Sequence, residues 1–111
     1  MKIDEQQIGS ADVLSPIGAL VDQDGEKFSA LLMKRVTSSN PRVVISFQEV
    51  PYVDSVALEG LLDATDELAR RAMTLKLVGV PPACREILEL TDVSSKFSFF
   101  ESVQDAVRSF L

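Results

Sequence analysis

Apolar residues along this chain recur sometimes at every second position and sometimes at every third and fourth, and the changes of period divide it into alternating strands and helices. Residues 2–8 are polar apart from Ile3 and Ile8 and predict a weak edge strand, with Gly9-Ser10 as a turn. The apolar run from Val13 to Val21 predicts a second strand, with Pro16 at an edge or bulge position. Asp22, Asp24 and Gly25 interrupt it. Asp24 is placed to cap a helix that begins near Gly25 or Glu26 and carries Phe28, Leu31, Leu32 and Val36 on one face. Asn40-Pro41 closes that helix, because the residue before a proline disfavours helical backbone.

Val43 to Phe47 (VVISF) is β-branched and apolar over a short run, as a strand buried on both faces would be. After a loop from Gln48 to Val53, the longest helical pattern runs from Ser55 to Ala72. Leu58, Leu61, Leu62, Thr65, Leu68, Ala69 and Ala72 form its apolar stripe. Its charged face carries the four-apart pairs Asp66–Arg70 and Glu67–Arg71 in the favoured order, acid first. Leu75 to Val80 predicts a strand. Pro81-Pro82 stops it and opens a helix that continues from Arg85 to Leu90. Phe97, Phe99 and Phe100 predict a last short strand or an apolar plug. Ser102 and Asp105 resemble a capping box before a final helix with Val103, Ala106, Val107 and Phe110 on one face. The order β-β-α-β-α-β-α-β-α predicts a single α/β domain over residues 1–111. Its mixed, mostly parallel sheet has about four to five strands, joined by right-handed crossovers and accompanied by four helices.

Composition narrows the function. The 111 residues carry 11 basic and 17 acidic side chains, a net charge of −6. Such a surface repels phosphate backbones and anionic lipid heads, so neither nucleic acid nor membrane insertion is expected. The absence of histidine removes Ser-His-Asp chemistry and most zinc sites. With no paired nucleophile and base and no phosphate loop, no enzyme is expected, and no cofactor, metal or small-molecule ligand is implied. Cys84, the one cysteine, suits a reducing cytoplasm and reads as a small buried hydrophobe; the redox-sensor reading would need a lowered thiol pKa. The N-terminal segment lacks the apolar stretch of a signal peptide, and the apolar runs are too short to span a membrane. The expected compartment is the cytoplasm. The acid pairs Asp22/Asp24 and Asp66/Glu67 read as solvated surface rather than magnesium ligands, and the phenylalanines near the C-terminus read as core rather than a docking patch.

The most informative stretch is the strand–loop–helix junction VPYVDSVALEG, residues 50–60, because sites in open α/β sheets collect at the carboxyl ends of strands. Ser55 has two readings. As an N-cap, its hydroxyl accepts a backbone N–H two or three residues on. As a phosphorylation site, it would place a charge of about −1.5 to −2 at a helix N-terminus.

From about Val13 to Leu111 the chain resembles a STAS domain of the bacterial anti-sigma factor antagonists. The matching segments are Gly18-Ala19-Leu20, VVISFQ, VPYVDSVALEG, LKLVGV and ILELTDV, in the family's order and spacing. The resemblance implies that Ser55, directly after Asp54, is phosphorylated by a partner serine kinase that also sequesters a sigma factor, and that phosphorylation ends binding. It implies partner contacts from Tyr52, Asp54, Ser55, Val56 and Glu59. Three features depart from the family pattern: Val56 and Ala57 replace Ser/Thr and Gly, Glu59 stands where glycine is frequent, and Ser46 where Asp is frequent. The alternative implied by the same resemblance is a constitutive, non-phosphorylated subunit or scaffold of a larger complex, such as a transport ATPase or a stress-sensing assembly.

Overall fold

The computed structural model describes residues 1–111. Five strands form one sheet in the order β1-β2-β3-β4-β5, with β1 (Lys2–Ile8) antiparallel to β2 (Ala11–Ile17). β3 (Val43–Ser46), β4 (Leu75–Val78) and β5 (Phe97–Phe100) continue the sheet in parallel. The helices are α1 (Asp22–Val36), α2 (Ser55–Ala69), α3 (Pro82–Leu90) and α4 (Val103–Arg108). No helix is long and apolar enough to cross a membrane.

Strand side chains alternate between the two faces of the sheet, so each strand serves two cores. Leu14, Ile45, Leu75, Leu77 and Phe97 face one side and pack with Phe28 and Leu32 of α1, Leu61 and Leu68 of α2, and Leu88 of α3. Val13, Val44 and Val78 face the other and meet Ala106 of α4. All four β3 residues are buried, Ser46 included, as a central strand covered on both faces requires. The two long helices approach closely. A methyl group at Gly60 would lie 1.9 Å from Ser29 Oγ and 2.5 Å from Ser29 Cβ, so only glycine fits there. The capping box of α4 forms, with the Asp105 N–H donating to Ser102 Oγ at 3.1 Å.

Several boundaries differ from the sequence expectation. β2 is an interior strand rather than an edge; its ladder to β3 runs through Asp12, Val13 and Leu14 only, so Pro16 removes no rung there. Asp24 does not cap α1, which starts at Asp22 rather than near Gly25 or Glu26 and has no capping side chain of its own at Val21. α2 ends at Ala69, not Ala72. Ala72 adopts a left-handed φ of 57°, and the Met73 N–H returns to the Leu68 carbonyl at 2.9 Å, closing the helix without a glycine. Of the two expected four-apart pairs Glu67–Arg71 forms, at 3.7 Å, whereas Arg70 turns from Asp66 to Glu67 as well. β4 ends at Val78 because Gly79 turns the chain with φ 63°.

Candidate functional site

The junction between β3 and α2 is built by alternation. In the loop after Phe47, Val50 and Val53 point into the core and are buried, while Pro51 and Tyr52 project outward, Tyr52 with half its surface exposed. The backbone on the β2 side holds this loop. Gly18 N–H donates to the Glu49 carbonyl at 2.9 Å, Leu20 N–H to the Tyr52 carbonyl at 2.9 Å, and Asp54 N–H to the Leu20 carbonyl at 3.0 Å. Cys84 supports it from below, its thiol donating to the Val50 carbonyl at 3.6 Å. Burial pushes the Cys84 thiol pKa up, which removes the condition for a redox sensor and leaves the small buried hydrophobe.

Asp54, half-buried, is the N-cap of α2; its Oδ1 accepts the Ala57 N–H at 3.0 Å. The capping reading of Ser55 is therefore corrected: the carboxylate one residue earlier does that work. The other oxygen, Oδ2, accepts the N–H of Asp22 at 2.8 Å, satisfying the first residue of α1 across 32 residues of sequence. One side chain thus serves the starts of two helices. The backbone N–H of Asp22, then that of Ala57, hold the Asp54 carboxyl below the usual carboxylate range.

Freed from capping, Ser55 is the first residue of α2. It is exposed and its hydroxyl bonds to nothing in the chain. Val56 and Glu59 are exposed beside it. The structure therefore brings all five expected residues, Tyr52, Asp54, Ser55, Val56 and Glu59, to one rim at the carboxyl ends of the strands. Ser46 lies apart from this rim, buried within β3. Sequence reasoning missed Ile17, Gly18 and Pro81, which border a groove of about 530 Å³ with Gln48, Glu49 and Pro51 on the same rim. Ile17 is 40% exposed, an apolar side chain at the end of a strand otherwise anchored in the core. The available signals were the Gly18-Ala19-Leu20 segment and the proline pair after β4. Of the acid pairs, Asp24 faces the Met1 amino group at 3.7 Å and Glu67 is engaged by arginines; no three potential metal-ligating side chains converge anywhere.

A family model described as the STAS domain matches residues 2–106. No curated protein sequence matches the chain. Among solved structures, an anti-sigma factor antagonist from Mycobacterium paratuberculosis is 22% identical with a TM-score of 0.81, covering 97% of this chain and 92% of that one. An anti-sigma-factor antagonist domain protein from Planctomyces limnophilus is 18% identical with a TM-score of 0.81, covering 96% of each chain. The phosphorylated form of the Bacillus cell fate determinant SpoIIAA is 14% identical with a TM-score of 0.77, covering 99% of this chain and all of that one. At these identities the likeness is one of fold.

Proposed function

The chain belongs to the STAS domain family, and from that premise we propose that it is a regulatory protein-binding module, an anti-sigma factor antagonist switched by phosphorylation of Ser55. The partner is an anti-sigma factor or a switch serine kinase. It contacts the rim formed by Tyr52, Asp54, Ser55, Val56 and Glu59.

One observation carries this reading. Asp54 has taken over the cap of α2, so the Ser55 hydroxyl has no structural task and stands exposed at a helix start. A phosphate added there would be received by the helix dipole while facing the carboxylates of Asp54 and Glu59. None of the five rim residues is basic. The new charge would therefore be felt by whatever packs on the rim, which is the property an off-switch needs. The solved structure named as phosphorylated, that of SpoIIAA, lends support by analogy of fold alone.

The test is capture from native lysate with wild-type, Ser55→Ala and Ser55→Asp baits, read by mass spectrometry together with phosphosite mapping. The expected outcome is a serine kinase or anti-sigma factor retained by wild type and Ser55→Ala, absent from Ser55→Asp, and a phosphate on Ser55 after incubation with that partner and ATP. A partner retained equally by all three would replace this reading with that of a constitutive subunit.

A further inference from the structure

A second site lies beyond the Ser55 rim, where β4 and β5 end and α3 begins. A cavity of about 430 Å³ is lined there by Gly79, Val80, Arg85, Phe99, Phe100 and Glu101. Its one cation is Arg85. The guanidinium lies over Phe99, its central carbon 3.5 Å from the ring centroid. A cation–π contact of this kind restrains a side chain that otherwise has many rotamers.

The hydrogen bonding of Arg85 is incomplete. Its Nε is enclosed and makes no hydrogen bond, although Glu89 Oε1 lies 3.4 Å away as an ion-pair contact. That contact falls on the inner edge of the fork and leaves the two Nη groups without a partner in the chain. A planar donor fork, held over an aromatic face and open to a cavity at the carboxyl ends of parallel strands, fits a group with two coplanar oxygens. We infer that this cavity binds a small molecule through a carboxylate or phosphoryl group, with Arg85 as the bidentate donor and Phe99 as its support. Glu101 stands at the mouth and opposes the incoming charge. The site is independent of the Ser55 reading. It shares a wall with the rim, since Gly79 leaves room for Gln48 where a methyl group would lie 2.5 Å from Gln48 Cγ.

The test is titration of the isotopically labelled chain with sodium phosphate and, separately, sodium succinate, at ionic strength held constant with sodium chloride. Backbone amide shifts of Gly79, Val80 and Glu101 report the site. Saturable shifts centred on those residues are expected with at least one probe, and the probe that saturates identifies the oxyanion. Arg85→Gln should weaken binding roughly tenfold or more, as loss of charge-assisted hydrogen bonds does. Arg85→Lys should weaken it nearly as much, because it keeps the charge and loses the fork. Glu101→Gln should tighten binding. All three variants should keep a dispersed native spectrum. Shifts spread over unrelated lysines and arginines, no saturation with either probe, or equal binding by wild type and Arg85→Gln would overturn the assignment.

Discussion

The two faces of the sheet are covered very differently. On one, two helices of 15 residues each bury Phe28, Leu32, Leu61 and Leu68 and approach so closely that Gly60 has no room for a methyl group. On the other, the six residues of α4 cover a patch of valine and alanine, with Val103, Val107 and Phe110 only partly buried. The proposed switch sits on the heavily packed side, yet on an exposed side chain whose hydroxyl makes no hydrogen bond within the chain. The contrast teaches that the cap that stabilises the junction and the proposed switch are adjacent residues. Asp54 holds two helices together, and Ser55 beside it is free to change.

Truncation in the two layers should show the largest difference. Leu61→Ala should cost about 2–5 kcal/mol, as loss of a fully buried leucine does. Val107→Ala on α4 should cost about 1 kcal/mol, in line with partial burial of two methyl groups. Chemical denaturation of both variants checks this, and equal losses would break the comparison. Next comes Gly60→Ala. Helix propensity alone favours alanine, but the clash with Ser29 should reverse the sign and destabilise by about 1–3 kcal/mol. Pairing it with Ser29→Gly should recover most of that loss.

Asp54 sharpens the comparison through pH. Its carboxyl has a lower pKa folded than unfolded, so its contribution to stability is complete above the ordinary carboxylate range. That contribution is lost as pH falls through the lowered folded value. Wild type should therefore lose more stability than Asp54→Asn between neutral pH and that acid range, with the two curves converging at its lower end. Thermal unfolding across pH measures it, and parallel curves would contradict the assigned role of the carboxylate.

Much of this was legible before any coordinates. Element order, the mixed sheet and the place of Tyr52, Asp54, Ser55, Val56 and Glu59 at one rim follow from periodicity, turn chemistry and family resemblance. What escaped was non-local or unusual in its chemistry. The start of α1 could not be read because its cap, Asp54, lies 32 residues away. The end of α2 could not be read because Ala72, not glycine, takes the left-handed position. The capping reading of Ser55 stayed open beside the phosphorylation reading because serine ranks with aspartate there, and local sequence does not say which of two adjacent candidates turns its oxygen inward. The Arg85 cavity was hidden for a similar reason: α3 and β5 meet only in the fold.

The smallest effect on stability belongs to Ser55 itself. A negative charge at the first residue of a helix gains about 0.3–1 kcal/mol from the dipole, and repulsion from Asp54 and Glu59 offsets a similar amount. The central claim is that Ser55 controls association without controlling the fold. It is tested most directly by calorimetric titration of the purified partner into wild type and Ser55→Asp, with thermal unfolding recorded on the same samples. The account predicts an affinity at least about tenfold weaker for Ser55→Asp, a change of about 1.4 kcal/mol or more, with unfolding midpoints that coincide. Equal affinities, or a loss of binding accompanied by a matching loss of folded stability, would contradict it.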